Sequence, residues 1–303
     1  MILSKEEQEF RERLIAESML DQCYIDPKKK IEHPPIAISY GTHSYNTKEG
    51  EVVYDTPVGT YGNFSFIQAP PKHKKTFLVT LLSAAYIGGD SGKFVGKLKG
   101  HRDGKCIMHF DTEQGSFHAQ RVFKRTLDMC GLDDECYKTY GLRALTHKER
   151  LKVIEVAIED TPNLGLVIID GIADLCSDVN NIEEANNVVQ KVMSWTQEYN
   201  IHIITVIHTN FNSNKPTGHL GSAMEKKAET QIQLEKDNAN PNMINVLCKS
   251  SRSRSFDPFS FYVNEYSYPQ IADANINWID TFIDEDKIKH TNKANSAPIR
   301  SRY

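Results

Sequence analysis

The sequence is short of several features that would place it in other classes of protein. None of its apolar runs approaches the roughly 20 residues of a membrane-spanning helix. The N-terminal segment is charged from Lys5 onward, so we expect no signal peptide. The six cysteines include no CxxC pair, which argues against a zinc ribbon and favours reduced thiols in the cytoplasm. Basic residues are not in excess: 36 Lys and Arg against 40 Asp and Glu give a formal charge of −4, which excludes a strongly basic protein that coats nucleic acid.

What the chain does contain is enough apolar material for one large domain. Its 303 residues are 39% hydrophobic and 25% charged, a balance typical of folded proteins. We predict an N-terminal helix and arm over residues 1–40, a core over residues 41–284 and a disordered basic tail over residues 285–303. Ser4 is placed to cap a helix over residues 4–20. Prolines and glycines predict that residues 26–62 are irregular.

From residue 63 onward, short apolar runs alternate with amphipathic stretches. The predicted strands are 64–68, 106–110, 140–145, 164–169 and 201–207, and the predicted helices are 74–87, 116–130, 147–159 and 182–199. This alternation predicts an α/β fold with a mostly parallel sheet covered on both faces. Three later strands, at 230–235, 243–248 and 259–263, are expected to be antiparallel additions at one edge. Residues 88–105 are rich in glycine and basic residues, which predicts a flexible excursion.

A candidate phosphate-binding loop follows the first of these strands. The candidate residues are Ala69, Pro70, Pro71, Lys72, His73, Lys74, Lys75, Thr76 and Phe77. A strand, a tight loop, Lys-Thr and a helix form the layout of a P-loop, in which the lysine reaches phosphates and the hydroxyl binds Mg²⁺. Lys75 and Thr76 fit these roles, but Ala69 and Lys74 replace the two glycines of the motif, and two prolines remove N–H donors. A basic turn that opens a surface helix remains an alternative.

Three polar side chains are predicted at the ends of other core strands. The apolar run LGLVII ends in Asp170, which is the Walker B arrangement for holding the water shell of Mg²⁺. Gly171 follows it, so the base that AAA+-type enzymes place there is absent. Glu113 and His208 follow two further strands, and the carboxyl ends of parallel strands meet at one edge of a sheet. Taken singly, each of these residues could instead be a turn-capping, exposed or structural side chain.

Five segments resemble RecA-like ATPases, particularly the RepA-type hexameric helicase branch and the RepA-like ATPases of bacterial mobile elements. They are HFDTEQ (109–114), LGLVIIDGIADL (164–175), VIHTN (206–210), GHLGSAMEKKAET (218–230) and KSSRSR (249–254). The resemblance covers about residues 40–270 and is weakest at the P-loop. It implies a RecA-like three-layer sandwich, binding of ATP and Mg²⁺ (the latter by Thr76 and Asp170), a hexameric ring and single-stranded DNA as the track. It also implies that Glu113 orients the attacking water and that His208 senses the γ-phosphate.

Two further groups of candidates follow from the same resemblance. In RecA-like proteins the loop after the strand that ends in His208 faces the DNA channel, so Phe211 is a candidate base contact and Lys215 a candidate phosphate contact. Ring ATPases present a basic finger to the neighbouring subunit's γ-phosphate, and Arg252 and Arg254 are the candidates here. Ordinary solvated segments remain the alternative for both groups, because TNFNSNKPT and KSSRSR are polar nearly throughout.

Three functions remain open on the sequence. The first is an ATP-dependent motor or loader that handles DNA in plasmid or mobile-element replication, together with other replication or mobilisation proteins. The second is a degenerate RecA fold that binds DNA or assembles without hydrolysis. The missing glycines favour it, while Glu113 and Asp170 argue against it because an inactive site has no chemical need for both. The third is a metabolic kinase, for which the sequence has no lid or substrate-pocket signature.

Overall fold

The computed structural model describes residues 4–48, 50–89, 97–131, 135–210 and 213–272, which fall into two units, 1–34 and 35–303. The first unit contains α1 (Lys5–Cys23), and Ser4 caps it as predicted. The Ser4 hydroxyl accepts a hydrogen bond from the Glu7 N–H, and the Glu7 carboxylate accepts one from the Ser4 N–H. No helix in the described part of the chain is long and apolar enough to cross a membrane. Phe211 and the predicted tail over residues 285–303 lie outside the described residues.

The second unit is an α/β structure. Its strands are β1 (Ile36–Thr47), β2 (Gly50–Thr60), β3 (Phe64–Ala69), β4 (Leu98–Gly100), β5 (Cys106–Asp111), β6 (Tyr137–Gly141), β7 (Leu164–Asp170), β8 (His202–His208), β9 (Thr230–Lys236), β10 (Met243–Ser251), β11 (Phe259–Val263) and β12 (Pro269–Ile271). Its helices are α2 (Lys75–Gly88), α3 (Ser116–Cys130), α4 (His147–Glu159), α5 (Ile182–Tyr199) and α6 (Gly218–Lys227). The main sheet has the order β12-β11-β10-β9-β3-β8-β7-β5-β6 within the described residues. The six neighbouring strands β9, β3, β8, β7, β5 and β6 pair in parallel. Strand β10 pairs antiparallel with β9, β11 with β10 and β12 with β11.

Apolar side chains cover both faces of the main sheet. One cluster contains residues of α2 and the end of α3, and the other contains residues of α4, α5 and α6. Strand β7 shows why its sequence is apolar at nearly every position: Leu166 and Ile168 join the first cluster, whereas Val167 and Ile169 join the second. The predicted α/β three-layer sandwich is therefore confirmed, and β3, β5, β7 and β8 all end at the same edge.

The prediction that residues 26–62 are irregular is wrong for most of the segment. Strand β1 pairs with β2 and β4 to form a three-stranded antiparallel sheet in the order β2-β1-β4. Pro57 lies in β2, which is an edge strand, and an edge position tolerates the missing N–H. Strand β4 likewise contradicts the flexible excursion predicted for residues 88–105, of which residues 90–96 lie outside the described part.

Two other strand predictions need correction. Strand β9 is parallel to β3 rather than antiparallel, because the chain crosses from β8 through α6 before it returns on the other side of β3. Strand β6 covers Tyr137–Gly141 rather than 140–145. Leu142 lies in the turn that follows β6, and its side chain is buried in the second apolar cluster. Its burial explains why the apolar pattern in the sequence extends beyond the end of the strand.

Gly100 in β4 allows that strand to pass close to α2. A Cβ at this position would overlap the carbonyl oxygen of Ala85 and the Cα of Tyr86. We expect Gly100→Ala to lower the free energy of unfolding by about 1–3 kcal/mol, because the obstacle is backbone and cannot rotate away. Gly141→Ala is the matched control, since no atom lies within 4 Å of its added Cβ. Denaturant unfolding measures both, and equal stabilities would contradict the packing of β4 on α2.

Candidate active site

A cavity of about 400 Å³ opens at the carboxyl edge of the parallel strands. The side chains that line it are Lys72, His73, Lys74, Lys75, Thr76, Phe77, Asp111, Glu113, Gln114, Val122, Arg125, Asp170 and His208. Its size lies in the range of about 300–1,000 Å³ that is typical of small-molecule sites. The structure thus brings together five side chains that the sequence places on four strand ends: Lys75, Thr76, Glu113, Asp170 and His208.

The loop that leads into α2 keeps an unusual backbone without glycine. Lys72 has φ 63° and Lys74 has φ 57°, both in the left-handed region that favours glycine. Lys74 is the N-cap residue of α2, and no side chain caps this helix terminus. An uncapped helix N-terminus facing a cavity is a favourable position for an anion. The donor arrangement therefore fits a phosphate group despite the lost glycines.

The left-handed backbone at Lys74 leads to a stability prediction. Lys74→Gly should raise the free energy of unfolding by up to about 1 kcal/mol, because glycine removes the Cβ strain while adding some entropy to the unfolded chain. The Lys74 ammonium donates to the carbonyl of Asn242 at 3.1 Å in an exposed position, so its loss costs little. Lys74→Ala removes the same amine and keeps the strain, and we expect no gain from it. Denaturant titration of both variants gives the comparison, and the idea fails if alanine stabilises as much as glycine.

A hydrogen-bonded series connects the loop lysine with the candidate base. The Lys75 ammonium donates to His208 Nδ1 at 2.9 Å, and to the carbonyls of Ala69 and Pro70 at 3.3 and 3.2 Å. In the tautomer that accepts at Nδ1, the His208 Nε2–H donates to Glu113 Oε1 at 3.2 Å. That bond lowers the pKa of Glu113. Burial lowers the pKa of Lys75, and the negative charges of Glu113 and Asp170 partly oppose this by raising it. Glu113 is thus held as an anion at the cavity.

Thr76 and Asp170 form the candidate metal site. The Thr76 hydroxyl donates to Asp170 Oδ2 at 3.0 Å. Burial and, secondarily, the charge of Asp111 raise the pKa of Asp170 to about 7. A hydroxyl and a carboxylate are hard oxygen ligands, and Mg²⁺ at phosphate sites takes one or two protein oxygens together with waters and phosphate oxygens. The two residues therefore fit Mg²⁺ bound beside a phosphate.

The backbone at Gly171 excludes a glutamate next to Asp170. Its φ is 113°, and a Cβ there would overlap the hydroxyl oxygen of Thr112. That hydroxyl donates to Asp174 Oδ2 at 2.7 Å and lies within hydrogen-bonding distance of the Asp170 and Gly171 carbonyls. A glutamate at position 171 would meet both backbone strain and a steric clash. A base in this cavity would therefore come from another strand end, where Glu113 lies.

Sequence reasoning missed four residues of the cavity wall: Asp111, Gln114, Val122 and Arg125. Asp111, which pairs in register with Asp170, accepts hydrogen bonds from the Glu113 and Gln114 N–H groups at 3.1 and 2.8 Å. It thereby fixes the turn that presents Glu113. The Arg125 guanidinium in α3 stacks on Phe77 at 4.3 Å, and burial lowers its pKa to about 10. Its spacing of three residues from buried Val122 is the signal that places it on the inner side of α3.

The remaining candidates lie away from the cavity. Arg252 and Arg254 are exposed, and the Arg252 guanidinium donates to the Lys227 carbonyl at 2.7 Å. Strand register places them at the amino edge of the parallel strands, because Ser251 pairs with Thr230 and β9 runs parallel to β3. Lys215 is also exposed, and two residues later the Thr217 N–H and hydroxyl donate to the His208 carbonyl.

Two solved structures are similar to this chain over part of its length. One, described as an ATPase domain, has a TM-score of 0.51 and 13% sequence identity, over 72% of this chain and 87% of that chain. The other, the RadB recombinase, has a TM-score of 0.47 and 18% identity, over 68% of this chain and 90% of that chain. At this level of identity the likeness to the solved ATPase domain concerns the fold alone. No curated protein sequence matches the chain.

A family comparison covers the site as well as the fold. A family model described as an AAA domain matches residues 59–214, just over half of the chain. The matched segment contains β3, β5, β7 and β8 and every side chain that lines the cavity. The chain belongs to the AAA domain family.

Proposed function

We propose that the protein binds and hydrolyses ATP as a RecA-like motor on single-stranded DNA, as a helicase or loader of the RepA type in plasmid or mobile-element replication or mobilisation. The observation that carries this proposal is the hydrogen-bonded series Lys75–His208–Glu113 beside the Thr76–Asp170 pair, all in one cavity. Family membership and the RecA-like sheet support the ATPase part. The DNA and replication parts rest on the sequence resemblance.

Lys75, Thr76, Glu113, Asp170 and His208 each have a role in this proposal. Lys75 and the N-terminus of α2 bind the terminal phosphates, and residues 69–74 shape the loop around them. Thr76 and Asp170 hold Mg²⁺, which neutralises phosphate charge when bound. Glu113 orients a water and accepts its proton, since it is anionic and lies at the cavity. His208, between Lys75 and Glu113, responds when Lys75 turns towards a phosphate.

The exposed basic residues act between subunits and on DNA. Arg252 and Arg254 lie too far along the sheet to reach their own cavity, so they serve a neighbouring subunit of a homo-oligomeric, hexameric ring. Lys215 and Phe211 contact single-stranded DNA from the loop that follows His208. Size-exclusion chromatography with light scattering, with and without ATP and single-stranded DNA, tests assembly. A monomer under every condition would contradict the ring.

A non-hydrolysing DNA-binding or assembly module is the second candidate. It is favoured by Ala69, Lys74 and the two prolines, which replace the glycines and N–H donors of a standard P-loop. Hydrolysis of ATP by the purified chain, with and without single-stranded DNA, separates the two candidates. Turnover that single-stranded DNA stimulates supports the motor. Binding of ATP without turnover supports the module.

A further inference from the structure

A buried network of three glutamines lies behind the phosphate loop. Gln68 in β3 and Gln231 and Gln233 in β9 are all buried. Gln68 Oε1 accepts from Gln231 Nε2 at 2.8 Å, and Gln68 Nε2 donates to Gln233 Oε1. A flipped Gln68 amide would point its oxygen at the Gln233 Oε1 and Asn214 carbonyl acceptors, so these two partners admit one orientation, although Gln233 Nε2 has no hydrogen-bond partner among the described residues. The network therefore fixes the orientation of the Gln68 amide.

The same amide reaches out of the core to the segment over residues 213–217. Gln68 Nε2 donates to the Asn214 carbonyl at 2.8 Å. Lys249 Nζ also donates to that carbonyl, at 3.2 Å. Asn214 is exposed and precedes Lys215, the candidate phosphate contact. A buried strand residue and a residue of the KSSRSR segment thus hold one point of the candidate DNA-binding loop.

Gln68 is also adjacent to the phosphate loop through Ala69. The Ala69 carbonyl accepts from Lys75 Nζ at 3.3 Å and from the Thr209 N–H at 3.2 Å. Thr209 precedes the segment that Gln68 holds at Asn214. If a bound phosphate draws Lys75 away from Ala69, the Ala69 carbonyl loses one of its two donors and keeps the Thr209 N–H. Ala69 is the neighbour of Gln68, which donates to the Asn214 carbonyl.

We propose that Gln68 is a positioning residue that couples the phosphate loop to the segment over residues 213–217, so that nucleotide and single-stranded DNA favour each other's binding. This inference rests on the proposed function. It assigns Gln68 no contact with either ligand. The coupling is reciprocal, since a residue that transmits ATP binding to DNA must transmit DNA binding to ATP by the same factor.

The test compares Gln68→Met with Gln231→Met. Both remove a buried amide from the network, but only the first removes the donor to Asn214. The measurement is the ratio of ATP hydrolysis with and without an oligothymidine strand, together with the ratio of strand affinities with and without Mg·ATP. Each ratio is taken within one variant, so a reduced folded fraction cancels. We expect Gln68→Met to lower both ratios by about fivefold or more, and Gln231→Met to leave them near those of the unmodified protein.

Each outcome decides a different point. If the unmodified protein neither hydrolyses ATP nor binds the strand, the proposed function fails and this inference fails with it. If the unmodified protein is stimulated and Gln68→Met is stimulated equally, or if Gln231→Met loses as much, the inference alone is overturned. Should Gln68→Met not fold, Lys249→Met removes the second donor to Asn214 from an exposed position. A lowered ratio supports the tether, and an unchanged ratio overturns it.

Discussion

Glu113→Gln should lower the rate of ATP hydrolysis by about 10²–10⁴-fold, which is the usual contribution of a general base. The affinity for Mg·ATP should change little, because glutamine keeps an oxygen that accepts from His208 Nε2. What glutamine cannot do is accept the proton of the attacking water. Steady-state hydrolysis gives the rate, and calorimetry with Mg·ATP gives the affinity.

Glu159→Gln is the control for this substitution, since Glu159 is exposed at the end of α4. It removes the same charge without touching the cavity, and we expect hydrolysis within about twofold of the unmodified protein, as for most surface substitutions. Unchanged hydrolysis in Glu113→Gln would show that Glu113 is not the base.

Lys75→Ala should weaken Mg·ATP binding by about 10²-fold and abolish measurable hydrolysis. Hydrogen bonds to charged groups contribute about 1.5–3 kcal/mol each, and about 1.4 kcal/mol corresponds to a tenfold change in affinity. Lys75 is buried at the start of α2, and its ammonium donates to His208. Alanine therefore also removes the positive charge from the hydrogen-bonded series that ends at Glu113. Calorimetry on the folded variant, checked by circular dichroism, measures the loss.

Lys226→Ala is the matched control, because Lys226 is exposed in α6 and outside the residues that line the cavity in the described part of the chain. It should bind Mg·ATP as the unmodified protein does. Equal binding by Lys75→Ala and Lys226→Ala would show that the ammonium of Lys75 does not contact the nucleotide.

Much of the site follows from local sequence signals. A Lys-Thr pair between a strand and a helix, and an aspartate after an apolar run, are features of neighbouring residues and need no knowledge of distant contacts. Their convergence follows from topology, because the ends of β3, β5, β7 and β8 share one edge of the sheet. This is why Lys75, Asp170 and Glu113 can be placed together from the sequence alone.

The features that sequence reasoning missed depend on distant partners. Gln68 contacts residues more than 140 positions away, and no local pattern marks it as different from any polar strand residue. Arg125 is partly buried, and its guanidinium stacks on Phe77, which belongs to another helix. Pro57 obscures the β1–β2 hairpin in the sequence, and it is acceptable only because β2 has a neighbour on one side alone in the described sheet.

The central claim is that the loop without glycines binds Mg·ATP through Lys75, Thr76 and Asp170. Isothermal titration of the purified protein with Mg·ATP, repeated with Lys75→Ala, tests it most directly. We predict one binding event per chain for the unmodified protein and binding that is about 10²-fold weaker in Lys75→Ala. No binding to the unmodified protein, or equal binding to both, would contradict the claim.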